Sequence, residues 1–176
     1  MENKPKKYEI VGPESTGKSV LTVALADVFQ TTYSLEFSRF FLNYLNRKYI
    51  KEDLETMATG QLLWNNEAFS NAVNCVFFDT GVLTIKLWQE IKYGFENPFL
   101  SSLFLENLPD CYILCYPDLP WEADPLRETA DLETRVSIFE AHKKLIETVG
   151  VPYFVINGKK RVEQVVNYIE NNNLFK

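Results

Sequence analysis

The sequence predicts a three-layer α/β domain, with a parallel sheet of about five strands between two layers of helices. Three observations lead there. Short apolar runs alternate with longer stretches of helical period, the pattern of strand–helix–strand units that closes a parallel sheet. The first of these runs leads into a glycine turn and then a helix, Gly12-Pro-Glu-Ser-Thr-Gly-Lys-Ser19. The 176 residues suffice for one core and leave little room for a second. The expectation is one domain over residues 1–176. A chain of this length buries roughly 70% of its unfolded surface, so no disulfide or metal is needed to hold it.

The elements follow in order. Tyr8 to Val11 reads as the first strand. From Lys18, Leu21, Ala24, Leu25 and Val28 fall at i, i+3, i+4 and i+7, one apolar stripe of a helix. Thr31 to Leu35, rich in Thr and Tyr, reads as a second strand. Phe40 to Asn74 is helical with a break near Tyr49–Lys51. Cys75 to Phe78, ending on Asp79, is too short for a helix and suits a buried parallel strand. Val82 to Tyr93 is a helix, and Cys111 to Tyr116 a strand bounded by Pro109 and Pro117. Leu132 to Val149 is a helix, Tyr153 to Ile156 a strand, and Arg161 to Asn172 a last helix with Val162, Val165, Val166 and Ile169 on one stripe. Between Pro117 and Glu128, Pro117, Pro120 and Pro125 stand among acidic residues, which excludes a strand or a regular helix. The segment from about 117 to 131 is read as a lid.

A net charge of −6 argues against a nucleic-acid partner, which calls for a basic stripe. Cys75, Cys111 and Cys115 are too few and too scattered for a disulfide framework and read as small buried hydrophobes. No segment approaches the roughly 18 unbroken apolar residues of a membrane span, and the first residues lack a leader's apolar core. The expected location is cytoplasmic.

Gly12 to Ser19 satisfies G-x-x-x-x-G-K-[ST] in full, with a strand before it and an amphipathic helix after. The glycines let successive N–H groups turn inward at phosphate oxygens, and the helix start adds its free amides and positive dipole end. Nucleotide contacts are therefore expected from Gly12, Glu14, Ser15, Thr16, Gly17, Lys18, Ser19 and Val20, with Lys18 on the β- and γ-phosphates. The Ser19 hydroxyl suits Mg²⁺, and Asp79, at the end of a buried strand, is placed as the second metal-site residue. Asp79 can also cap the next helix. Glu36 ends the second strand on the edge where ligands collect, and a carboxylate there can take a proton from an attacking hydroxyl. Arg39 either binds the acceptor or holds Glu36. Arg127 either closes over the transferred phosphoryl group or pairs with Asp124 and Glu128; Arg135 reads first as an ion-paired helix residue. His142 reads as partly buried and structural, Trp64 and Trp88 as packing residues, and Trp121 as a substrate contact. No Asn-Lys-x-Asp string for reading guanine is present, which favours ATP over GTP.

Four segments together, Gly12–Ser19, Tyr33-Ser-Leu-Glu-Phe-Ser-Arg39, Phe78-Asp-Thr80 and Asp118-Leu-Pro-Trp-Glu-Ala-Asp-Pro-Leu-Arg127, make the chain resemble the AAA_28 family of P-loop domains. That family includes the ribosylnicotinamide kinase domain of bacterial NadR. The resemblance implies a nucleoside-kinase-like P-loop fold, with Mg²⁺ and ATP used to phosphorylate the 5′-hydroxyl of a nucleoside such as nicotinamide riboside. It implies Lys18 and Ser19 on the triphosphate and metal, Asp79 at the metal, Glu36 as base and Arg127 as lid arginine. One departure stands out: the family's Asp-Thr-Asp is here Asp79-Thr80-Gly81. The missing carboxylate leaves a second reading open, a nucleotide-binding switch or slow NTPase without a small-molecule acceptor.

Overall fold

A computed structural model describes residues 4–172. Strands β1 (Lys6–Val11), β2 (Thr32–Ser34), β3 (Cys75–Asp79), β4 (Cys111–Cys115) and β5 (Tyr153–Ile156) form one sheet in the order β2-β3-β1-β4-β5. Every pairing is parallel, with Ile10 opposite Asp79, Val11 opposite Leu114 and Cys115 opposite Ile156. The helices are α1 (Lys18–Val28), α2 (Phe37–Tyr44), α3 (Asp53–Ser70), α4 (Val82–Tyr93), α5 (Pro98–Glu106), α6 (Leu132–Val149) and α7 (Arg161–Asn171). The fold is the expected α/β P-loop architecture.

Alternation along the strands divides the core between the two faces of the sheet. Tyr8, Ile10, Phe77, Cys111, Ile113 and Cys115 pack with Leu21, Leu25 and Ala26 of α1 and Val165 and Ile169 of α7. Val11, Tyr112 and Leu114 face the other way, onto Leu54 and Met57 of α3, Leu83 of α4, Leu100 of α5 and Phe139 of α6. Every residue of β3 and β4 is buried, as befits central parallel strands covered on both sides. A side chain such as Phe77, wholly enclosed, contributes ~2–3 kcal/mol of apolar burial. The three cysteines are free and buried.

Three local expectations are corrected. In α1 the inward face is Leu21, Thr22, Leu25 and Ala26, while Val28 is 53% exposed. Thr22 tolerates burial because its hydroxyl donates to the Lys18 carbonyl at 2.9 Å. Helix α5 was not anticipated. Its start is written as Asn97-Pro98: the Asn97 side chain accepts from the N–H groups of Phe99 and Leu100, and proline occupies the first turn. The break between α2 and α3 is wider than expected and spans residues 45–52. Arg47 and Asp53 help hold it through two hydrogen bonds of 2.6 and 2.8 Å.

Candidate functional site

In a parallel sheet all strands deliver their carboxyl ends to one edge, and on this edge lies a cleft of about 790 Å³, within the range of small-molecule sites. The β1–α1 loop forms one end. Gly12 has φ 136°, and a Cβ there would stand 2.6 Å from the Cys115 carbonyl, so only glycine lets β1 turn this close to β4. Ser15 and Gly17 are left-handed (φ 55° and 73°), which folds the loop into a concave row of amides. The Thr16 hydroxyl and the Lys18 ammonium both donate to the Pro13 carbonyl at 2.8 Å.

The sequence reading missed Arg161. Its guanidinium donates to the carbonyls of Thr16 (2.8 Å) and Tyr116 (3.2 Å) and pairs with Asp118, which also accepts from the Gly158 N–H. One side chain thereby ties the phosphate loop, the end of β4 and the β5–α7 turn together. Nothing in its local sequence sets it apart from an ordinary first-turn arginine.

Glu36, just before α2, is half-buried and lines the cleft. Desolvation pushes its carboxyl pKa up; Lys18 opposes this first, Asp79 and Glu14 add to it, and Arg39 opposes it. Asp79 is 1% exposed, and among the described residues neither carboxylate oxygen makes a hydrogen bond of full geometry. Burial raises its pKa as well, against the pull of Lys18, the nearby Ser19 hydroxyl and Arg39. A buried carboxylate beside a hydroxyl fits a hard divalent cation. Mg²⁺, which takes few protein oxygens and keeps phosphate and water, is such a cation.

Gly81 has a structural explanation. A Cβ at this position would overlap the carboxyl of Glu9, a residue of β1 that is 4% exposed. A side chain at 81 in this backbone would thus run into Glu9, which lies outside the cleft wall. Glycine at 81 therefore fits the close approach of the buried Glu9.

The segment read as a lid contributes Leu119, Pro120, Glu122 and Leu126–Thr129 to the cleft wall. Arg39 is bonded to Asp124 of the lid at 2.7 Å, and it acts on Glu36 through its charge. Arg127 lines the cleft, and its Nη1 donates to the Glu122 carbonyl at 2.5 Å. The acidic partners considered for it are engaged elsewhere, Asp124 with Arg39 and Glu128 with Lys92. Arg135 is 4% exposed and reaches the Leu119 carbonyl at 3.4 Å in place of the expected ion pair.

Of the residues named from sequence, Gly12, Glu14, Ser15, Gly17, Lys18, Ser19, Val20, Glu36, Arg39 and Arg127 line the cleft. Thr16 and Asp79 lie behind its wall, both buried. Trp121 is not in the wall either, and its indole N–H is buried without a hydrogen-bond partner among the described residues. Trp88 takes the place expected of Trp121: it lines the cleft with Tyr49, to whose hydroxyl it donates at 2.6 Å. Trp64 packs edge-on against Phe37, as a packing residue should. His142 is 2% exposed, more buried than expected, and also forms part of the cleft wall. Its Nδ1 lies 2.8 Å from the Ile138 carbonyl, and burial lowers its pKa to about 4, so the ring is neutral.

The fold and these motifs have relatives. The AAA domain profile AAA_28 matches residues 7–164. The trifunctional NAD biosynthesis/regulator protein NadR of Escherichia coli K12 is 34% identical over 122 residues, 67% of this chain but only 30% of NadR. A crystal structure of NadR protein in complex with NR superposes with a TM-score of 0.81 at 19% identity, over 99% of this chain and 53% of that one. Deoxyadenosine kinase from M. mycoides with bound dATP follows at 0.58 and 14%, over 94% and 99%. At such identities the superpositions speak for the fold, whereas the profile spans most of the sequence. The chain belongs to the AAA_28 family of P-loop domains.

Proposed function

We propose that the chain is an ATP-dependent kinase that phosphorylates the 5′-hydroxyl of a nucleoside such as nicotinamide riboside. The observation that carries this reading is the placement of Glu36. Its carboxyl lines the same cleft as the Lys18 end of the phosphate loop and the Leu42, Tyr49, Met57 and Trp88 wall. One end is built for a polyphosphate and the other for a flat, largely apolar body, with a carboxylate of raised proton affinity between them. The NadR structure in complex with NR supports the choice of acceptor.

In this scheme the loop amides from Glu14 to Val20 and Lys18 hold the triphosphate. Ser19 and Asp79 would hold Mg²⁺, which would supply charge neutralisation to the triphosphate. Glu36 accepts the proton of the acceptor hydroxyl as its oxygen bonds to the γ-phosphorus and the bond to the ADP oxygen breaks. Arg127 stabilises the charge spread over the transferred oxygens. Lid closure keeps water from taking the acceptor's place.

The test is ADP release from Mg-ATP with and without nicotinamide riboside, with the riboside followed by mass. Riboside-dependent ADP, matched by a product one phosphate heavier, is expected. Glu36→Gln should slow transfer roughly 10²–10⁴-fold while still binding ATP. Slow ADP release, indifferent to the riboside and to a panel of other nucleosides, would overturn the reading in favour of a nucleotide switch.

A further inference from the structure

Two phosphate-loop residues accept hydrogen bonds from lid amides through their side chains. The Glu14 carboxylate accepts from the Glu128 N–H (3.0 and 3.1 Å) and from the Thr129 N–H (3.0 Å). The Ser15 hydroxyl oxygen accepts from the Glu122 N–H at 3.2 Å. Between these two attachments lies Arg127. Its main chain immediately precedes the pair of amides held by Glu14, and its guanidinium donates to the carbonyl of Glu122, whose amide is held by Ser15. The Arg127 N–H closes a turn onto the Asp124 carbonyl at 3.0 Å, and Asp124 is in turn fixed by Arg39. The loop that would carry the phosphates thus holds the lid backbone on either side of the arginine, at Glu122 and at Glu128–Thr129.

From this closed circuit we infer that Glu14 is a positioning residue for Arg127. It fixes the lid arginine over the phosphate cradle and so couples lid closure to the loop itself. Hydrogen bonds to a carboxylate are stronger than those between neutral groups, and one carboxylate taking two successive amides leaves the lid little rotational freedom. Backbone amides and Lys18 can hold a phosphate without the Glu14 side chain. Its loss should therefore act on the chemical step more than on nucleotide capture. The inference rests on the kinase reading for the role of Arg127, but the contact itself can be measured without any acceptor.

The experiment has two arms. In the first, hydrogen exchange by mass spectrometry follows the peptide containing Glu128 and Thr129 in the intact chain and in Glu14→Gln and Glu14→Ala. Exchange is expected to speed up at least about tenfold in Glu14→Ala and by less in Glu14→Gln, which keeps one acceptor oxygen. In the second, kcat and KM for ATP are measured for Glu14→Ala, Arg127→Ala and the double variant. The expectation is a kcat loss of roughly 10–100-fold in Glu14→Ala with a smaller change in KM, and little further loss when Arg127 is already absent. Unchanged exchange, or equal kcat losses from Glu14→Ala with and without Arg127, would overturn the inference. If no acceptor is found for the intact chain, the kinase reading fails while the exchange arm still decides whether Glu14 holds the lid.

Discussion

Asp79 shows how a single residue can trade stability for function. Its carboxylate is enclosed, lacks a hydrogen bond of full geometry, and has a raised pKa because burial disfavours the anion. A group whose folded pKa lies above its unfolded one stabilises the fold at low pH and loses that contribution as the pH rises. At neutral pH Asp79 therefore destabilises the free protein, and the proposed Mg²⁺ would relieve the penalty. Asp79→Asn removes the charge at almost constant shape. The expected result is a higher melting temperature above pH 7 together with an apparent Mg²⁺ affinity roughly 10–100-fold weaker in the nucleotide-dependent reaction. Thermal melts and a Mg²⁺ titration of the same variant check both halves; a lower melting temperature would contradict the charge argument. Lys18, Ser19, Glu36 and Asp79 were legible in the sequence because motif and strand ends fix where such side chains must lie. Arg161 and Trp88 were not, because they reach the cleft from helices whose local sequence looks ordinary.

Elements carry the second kind of information, and here packing decides what pattern alone could not. Alternating runs located all five strands, and the ends of α4 and α6 agree with the sequence to the residue. The α1 stripe was misread because Ala24 and Val28 are apolar, whereas the sheet receives Thr22 and Ala26. Helix α5 went unseen because a nine-residue helix offers only about two and a half turns of periodicity. Its Asn-Pro start was the usable signal. The placement of α2 depends on a contact no sequence pattern encodes. A Cβ on Gly60 of α3 would overlap the ring of Phe37, the first residue of α2. That ring cannot swing aside freely, since it lies 5.1 Å edge-on to Trp64 and within 5.8 Å of Phe40. Gly60→Ala, although favourable to an isolated helix, should therefore push α2 outward and cost ~1–3 kcal/mol in overpacking. Because Glu36 and Arg39 flank or ride on α2, the same change should raise the acceptor KM more than the ATP KM. Denaturant unfolding and a two-substrate kinetic analysis would test this, and a stabilised variant would show that the ring yields.

For the whole molecule, two buried groups on the α3–α6 side of the sheet set opposing limits on pH stability. His142 has its pKa lowered to about 4 by burial, assisted by Lys18 and resisted by its bond to Ile138. Its unfolded form takes up a proton below about pH 6.5 while the folded form does not, so stability is lost as the pH falls from there toward 4. Glu9 runs the other way. Burial raises its pKa to about 8 against the attraction of Lys7. The folded state holds a proton that the unfolded chain releases above about pH 4.5, so stability falls from there up to about pH 8. Where the windows overlap, between about 4.5 and 6.5, the His142 and Glu9 slopes oppose each other; Glu36 and Asp79, whose pKa values are also raised, add to the Glu9 side, and above the overlap the loss of stability with pH is unopposed by His142. The decisive variant is Glu9→Gln, which keeps the shape and removes the proton exchange. Its stability advantage over the natural chain should be negligible below pH 4.5, grow with pH, and level off above 8 at a few kcal/mol. Subtracting one unfolding curve from the other at each pH isolates Glu9 from the cleft carboxylates. An advantage independent of pH would mean that the Glu9 carboxyl is ionised inside the fold, and that Gly81 stands beside a buried anion.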